Sequence, residues 1–246
     1  MVKFAYLVFN VLVSLSFLGA ALWMPEYWRR WRGLVAGFAT VSGAFILWDI
    51  WAAAHGHWQF SSQYTLGLRV AGLPIEEWLF FVTVPGACMV VWELLGRTKR
   101  ARQVVIHSGT LRSGFVVLSA LCLLGGMMSG DSAYTRAALL AAGIAAVCLA
   151  CQVRLAVMRQ WWLFQVASFT LFLVCNMVLT GLPIVLYSLD HFSGLRIGTI
   201  PIEDFAYNFA LLNLFLLVYE WAGMHGYAKL KNVDGETDGK LQDQAR

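Results

Sequence analysis

Two pairs of neighbouring carboxylates are the residues of this sequence best suited to chemistry. Residues 74–77 are Pro-Ile-Glu-Glu and residues 201–204 are Pro-Ile-Glu-Asp, so the same short motif occurs twice. Two carboxyl groups in one pocket can hold different protonation states and so supply a general acid and a general base. The motifs therefore predict proton-transfer chemistry at four residues. These are Glu76, Glu77, Glu203 and Asp204.

Each motif is part of a longer internal repeat. Gly67-Leu68-Arg69 recurs as Gly194-Leu195-Arg196, at the offset of 127 residues that also separates the proline motifs. The same ungapped frame pairs Asp49 with Asn176 and holds from residue 49 to residue 96. Charged, proline and glycine positions that agree in one frame indicate a duplicated structural unit.

Several other residues are expected to complete the site. Arg69 and Arg196 are candidate partners of the carboxylates, with interfacial loop charges as the alternative, and Asp49 and Asn176 could orient the acids by hydrogen bonds. Aromatic rings after the acids would stabilise a cationic intermediate, although an interfacial aromatic belt is the alternative. These rings are Trp78, Phe81, Phe205 and Tyr207.

Within each pair, one acid is expected to face a shared pocket while its neighbour modulates it. We expect Glu76 and Glu203 to face the pocket, with Glu77 and Asp204 beside them. No metal site is predicted, because His55 and His57 lack a third ligand in the sequence.

The composition predicts the elements that must position these residues. Hydrophobic residues make up 59% of the chain and charged residues 13%. A helix needs about 20 apolar residues to cross a bilayer. Seven stretches approach that length, at 2–24, 33–54, 74–95, 113–130, 135–153, 161–187 and 201–222. The sequence therefore predicts an all-α polytopic membrane protein. Because the basic residues are not gathered on one face, it gives no indication of nucleic-acid binding.

The basic residues predict the topology instead. Numbering the seven stretches as helices 1 to 7, fourteen of the 18 Lys and Arg residues follow helices 1, 3, 5 and 7. Because basic loops stay in the cytoplasm, this predicts a cytoplasmic C-terminus and an N-terminus outside. Helices 3 and 7 then run in the same direction, so two three-helix repeats, 1–96 and 135–223, are parallel. Residues 97–134 would supply a loop and a joining helix, and residues 224–246 a polar cytoplasmic tail, disordered from 232.

Two further features have structural interpretations. Glu93 and Glu220 lie about 25 Å along their helices from the acid pairs, at about 1.5 Å per residue, and are expected to pair with cytoplasmic Arg or Lys. Gly33-x-x-x-Gly37 predicts a close helix–helix contact.

The motifs resemble those of the membrane-integral lycopene cyclases of bacteria, archaea and fungi. The resemblance rests on residues 74–81 and 194–208 and extends in layout to about residue 225. It implies cyclisation of lycopene, a linear C40 polyene, to β-ionone rings without net redox change, with the four motif carboxylates essential. No cofactor is expected, since the GxGxxG motif of the flavin-containing cyclases is absent.

The same resemblance implies partners and location. Lycopene and membrane lipid would contact the protein in the plasma membrane, with phytoene synthase and desaturase nearby. Two alternative functions stay open from the sequence. A carotenoid hydratase would use the same protonation and let water capture the cation, and a proton-coupled transporter would also combine repeats with buried acids.

Overall fold

The computed structural model describes residues 2–244, with the side chains of residues 3–223. Among the described residues, seven helices are long and apolar enough to cross a membrane. They are Ala5–Leu22, Trp31–Ala54, Ile75–Gly96, Ser108–Met128, Ala133–Cys151, Arg159–Gly181 and Glu203–Gly223. The predicted all-α polytopic membrane fold is confirmed. The predicted tail at 224–246 lies outside the residues whose side chains are described.

The helices are labelled in chain order together with the short elements between them. The element order begins with a 3₁₀ turn at Val2–Phe4 and has a π-helical turn at Phe38–Ser42 and a 3₁₀ turn at Lys99–Arg102. The α-helices are α1 (Ala5–Leu22), α2 (Pro25–Arg29), α3 (Trp31–Gly37), α4 (Gly43–Ala54), α5 (Ile75–Gly96), α6 (Ser108–Met128), α7 (Ala133–Cys151), α8 (Arg159–Gly181) and α9 (Glu203–Gln244).

One predicted span is too long. The stretch 161–187 was expected to be one helix, but α8 ends at Gly181. Pro183 follows two residues later, and helical geometry is unfavourable for the residue that precedes a proline. Residues Val185–Tyr187 form a strand instead.

Short strands connect the helices on the side that carries the acid pairs. Strands β2 (Arg69–Val70) and β3 (Leu73–Pro74) form one hairpin, and β5 (Arg196–Ile197) and β6 (Ile200–Pro201) form another. Strands β1 (Trp58–Phe60) and β4 (Val185–Tyr187) pair antiparallel. We refer to this end of the helices as the hairpin side. These strands were not predicted from the sequence.

The hairpin before α5 has a turn that explains its sequence. Ala71 and Gly72 both have positive φ, 50° and 86°. Positive φ at both central residues is the requirement of a type I′ turn, which matches the twist of paired strands. In the second hairpin Gly198 has a φ of 63° at the equivalent position, offset by 127 residues from Ala71. Thr199, the counterpart of Gly72, does not have positive φ, so the second turn fits type II′, which also matches the twist of paired strands. A tight hairpin therefore precedes each acid pair, while the membrane orientation of the two copies stays a prediction.

Helices α5 and α9, which carry the acids, are packed by helices from both copies. Helix α5 contacts α1 and α8, and α9 contacts α7 and α3. Since α8 follows α7 in the second copy and α3 follows α1 in the first, one helix of each copy packs on the acid-bearing helix of the other. The site is therefore built jointly by the two halves of the chain.

The predicted close contact at Gly33 and Gly37 is confirmed. A methyl group at Gly33 would collide with the backbone carbonyl of Tyr219, and one at Gly37 would lie 2.6 Å from Phe215 Cζ. The absence of side chains thus lets α3 rest directly on α9.

Replacing Gly33 or Gly37 by alanine is expected to lower the free energy of unfolding by about 1–3 kcal/mol, because a methyl must be forced into a filled contact. Thermal unfolding of each variant in detergent micelles measures this. Gly19→Ala is the matched control, since a methyl group added at Gly19 would have no heavy atom within 4 Å. An equal unfolding temperature for all three variants would contradict the tight α3–α9 contact.

The opposite ends of α5 and α9 hold a partly buried ionic cluster. Arg30 lies 3.4 Å from Glu93 and also pairs with Glu220. Tyr219 Oη donates to Glu93 at 2.8 Å, and Trp92 Nε1 donates to Glu220 at 2.7 Å. The predicted pairing of these two glutamates with a basic residue is confirmed.

Candidate functional site

A cavity of about 600 Å³ brings acids from both copies together. Glu77 at the start of α5 and Asp204 at the start of α9 both line it, and so does Asp49 from α4. All three are buried, with exposures of 7%, 4% and 3%. Acidic side chains at membrane depth are costly to bury and mark functional sites.

Glu77 is held by a tyrosine from α1. Tyr6 Oη donates a hydrogen bond of 2.5 Å to Glu77 Oε2, and Tyr6 is fully buried. Asn10, one turn further along α1, fixes the position of α1 against α5. It donates to the Glu76 carbonyl at 3.1 Å and accepts from Thr83 Oγ1 at 2.9 Å. Among the described residues no donor contacts Glu77 Oε1, which leaves that oxygen available to a molecule in the cavity.

Asp204 has a different environment, with three donors. Tyr134 Oη donates to Oδ1, while Asn176 Nδ2 and Tyr187 Oη donate to Oδ2 at 2.7 Å and 2.8 Å. Burial, reinforced by the nearby Asp204, raises the pKa of Tyr187 well above its usual value, so Tyr187 is a neutral donor. A carboxylate has only acceptors, so three donors match its ionised form.

Asp49 is bonded on one oxygen. Trp58 Nε1 donates to Asp49 Oδ1 at 2.6 Å, and Oδ2 has no hydrogen-bond partner in the described part of the chain. The exposure of Trp58 is 6%, and its side chain also lines the cavity. A buried oxygen without a partner indicates a site for a proton or a ligand.

The expectation that Glu76 and Glu203 face the shared pocket is wrong. Glu76 Oε1 accepts from the Leu66 backbone N–H at 2.6 Å. Glu203 Oε1 accepts from the Ser193 N–H at 2.8 Å and from Thr135 Oγ1 at 2.6 Å. Neighbouring helix residues point about 100° apart. When Glu77 and Asp204 face the cavity, their neighbours turn towards the loops and bind loop amides.

The arginines do not form the expected pairs with the carboxylates. Arg69 donates to the Gly72 carbonyl at 2.8 Å, and Arg196 donates to the Thr199 carbonyl at 2.6 Å. Each arginine therefore closes the turn of its own hairpin, and neither lines the cavity. Their loop role explains why the Gly-Leu-Arg tripeptide recurs without requiring a catalytic part.

The predicted aromatic residues divide between the cavity and other places. Tyr207 lines the cavity. Trp78 Nε1 donates to the Val70 carbonyl at 3.2 Å, and Phe81 is buried in the helix core. Phe205 packs against rings of α8. Of the aromatic candidates, Tyr207 is thus the one placed to contact a ligand.

Four residues of the site were not predicted from the sequence: Tyr6, Tyr134, Trp58 and Tyr187. Tyr6 and Tyr134 are equivalent donors at the starts of α1 and α7, but they are 128 residues apart rather than 127. The ungapped frame began at residue 49, after the first helix, so it could not align them. A search that allowed one insertion between helices would have found the pair.

Comparison with known proteins matches both copies of the site. A family model described as lycopene cyclase matches residues 3–95 and 131–222, which include every acid named above. Two curated relatives named lycopene beta-cyclase, from two strains of Halobacterium salinarum, are 43% identical over 54 residues. That segment is 22% of this chain and spans 23% of each relative. No solved structure matches the chain.

Proposed function

Because this chain belongs to the lycopene cyclase family, we propose that it converts the linear ends of lycopene to β-ionone rings by proton-initiated, redox-neutral cyclisation. The observation that carries the proposal is the cavity that joins Glu77 to Asp204 among aromatic side chains. Monocyclic γ-carotene and bicyclic β-carotene would be the successive products. The shared apolar cavity suits a hydrocarbon substrate, which can be held only by burial of its surface.

Glu77 is the proposed general acid. Its Oε2 is held by Tyr6, which leaves Oε1 free towards the cavity to carry the proton. The acid transfers that proton to C2 of the terminal C1=C2 double bond, and the two alkene electrons form the new C–H bond. A tertiary cation is left at C1, and Glu77 becomes a carboxylate. Asp49 lines the same cavity with an unpartnered Oδ2, which supports a second role in supplying the proton.

Asp204 is the proposed general base. The C5=C6 bond attacks C1, which closes the six-membered ring and moves the cation to C5. Asp204 then takes the proton from C6, and the electrons of that C–H bond form the C5=C6 double bond of a β-ring. Three donors hold Asp204 in its ionised form and fix its direction, so its position determines which proton is removed.

The rings around the acids would stabilise the cation. Tyr134 and Tyr187 are stacked with centroids 5.9 Å apart, and the ring of Trp58 lies 5.0 Å from that of Tyr134. The ring of Tyr207 joins them on the cavity surface. Aromatic faces attract positive charge most strongly where water is excluded, and excluding water also prevents capture of the cation as an alcohol.

Expression of the chain in a lycopene-accumulating bacterium tests this function. We expect the red pigment to be replaced by cyclised carotenoids of the same mass, identified by chromatography and mass spectrometry. A product heavier by one water would indicate a hydratase instead. Unchanged lycopene, with the protein present in the membrane, would contradict the cyclase proposal.

A further inference from the structure

The cavity continues beyond the acids as a groove along the bundle. Its floor is one face of α5, on which Glu77, Val84, Ala87 and Leu94 follow one another at helical spacing. Its walls are α1 and α8. From Glu77 to Leu94 the floor covers 17 positions, or about 25 Å at about 1.5 Å per residue. The groove thus runs through most of the thickness of a bilayer.

The groove opens sideways. Leu12 on α1 and Val174 on α8 line it and are also 60% and 61% exposed. Cys88 on the floor is 5% exposed. In a membrane, apolar side chains exposed on helix surfaces at this depth face lipid. A molecule dissolved in the lipid can therefore enter between α1 and α8 without passing through water.

The repeat-related position on α9 is filled instead. Ala87 and Cys88 correspond, at the offset of 127, to Leu214 and Phe215. Phe215 is fully buried and its ring lies against Gly37. The two copies therefore differ in side-chain volume at this depth. The small residues on α5 leave room for a ligand where α9 has a packed helix contact.

We infer that this groove is the binding site for the unreacted length of the polyene, an inference that rests on the proposed function. The polyene lies along α5, parallel to the membrane normal, with one end at Glu77 and Asp204 and the other beyond Ala87. A conjugated chain is too stiff to fold back on itself. Each binding event therefore presents one end to the acids, and the second ring forms after the monocyclic product has left and re-entered in the reverse direction.

Bound lycopene tests the groove without relying on turnover. Glu77→Gln protein is purified from lycopene-containing membranes, and its carotenoid is measured by absorbance per mole of protein. Adding Ala87→Phe is expected to lower the bound carotenoid about tenfold, because the ring occupies the floor of the groove. Val82→Phe is the matched control, since Val82 is 45% exposed on the same helix and does not line the groove.

A second blocking variant keeps the test decisive if Ala87→Phe does not fold. Cys175→Phe narrows the groove from the α8 wall and is expected to lower bound carotenoid to a similar extent. If either blocking variant has the unfolding temperature of its parent and still carries the parent amount of lycopene, the groove is not the polyene site. This result is distinct from failure of the proposed function, which would appear as wild-type protein that forms no ring product.

Isotope dilution tests the one-ended binding. Wild-type membranes convert deuterium-labelled lycopene in the presence of excess unlabelled monocyclic product. We expect label to accumulate in the monocyclic product and bicyclic product to form mainly from the unlabelled pool. Labelled bicyclic product that forms undiluted from the first turnover would show that both rings close in one binding event, and would overturn the inference.

Discussion

Glu77→Gln is expected to lower the rate of lycopene conversion by about 10²–10⁴-fold, the contribution that a general acid makes in enzymes. Glutamine keeps the size of the side chain and can accept the hydrogen bond from Tyr6, but it has no proton to give to an alkene. Initial rates in isolated membranes, normalised to the amount of protein, measure the effect.

Glu76→Gln is the matched control for this variant. Glu76 uses Oε1 to accept from the Leu66 N–H, and the amide oxygen of glutamine can accept the same bond. We therefore expect conversion within a few-fold of wild type, well short of the loss expected at Glu77. The opposite order, an inactive Glu76→Gln and an active Glu77→Gln, would show that the acid is the other member of the pair.

Asp204→Asn is expected to slow conversion by a similar factor of about 10²–10⁴ and also to change the products. Without a base directed at C6, the ring cation persists until another proton is lost or water adds. Isomeric rings and a hydrated product should therefore form a larger share of the remaining turnover. Chromatography with mass spectrometry measures both the rate and the product ratio.

Glu203→Gln is the control in the second copy. Its amide oxygen can still accept from Ser193 and Thr135, so the product ratio should stay that of wild type. A rate loss at Asp204→Asn with an unchanged ratio would mean that Asp204 does not set the position of the double bond. Its role would then be to bind or to orient other groups.

The sequence predicted the general fold of this protein because the relevant signals are local. Runs of apolar residues locate the membrane spans, and the motifs at 74–77 and 201–204 locate the acids at helix starts. The pairing of Glu93 and Glu220 with a basic residue was also predicted, because these acids lie at the helix ends that are followed by basic loops. The catalytic roles of the acids in the two proline motifs stay predictions until they are tested.

The choice between adjacent acids could not be predicted in this way. Glu76 and Glu77 have the same chemistry, and which one faces the cavity depends on how far α5 is rotated about its axis. That rotation is fixed by tertiary contacts, among them the bonds from Asn10 to the Glu76 carbonyl and to Thr83. Tyr6 and Tyr134 were missed for a related reason. Their pairing with the acids joins residues 71 and 70 positions apart.

The pairing of β1 with β4 has a consequence for how the product leaves. Its backbone ladder is extended at both ends by bonds of 2.9 Å, from the Ser61 N–H to the Ile184 carbonyl and from the Ser188 N–H to the His57 carbonyl. Strands from both halves of the chain are thereby bonded to each other at the hairpin-side end of the cavity. Four of their residues line the cavity: Trp58, Phe60, Val185 and Tyr187. Departure on that side would require breaking the ladder, whereas the gap between α1 and α8 needs no bond to be broken. Under the proposed function, the cyclised product would therefore pass directly into the acyl chains of the bilayer.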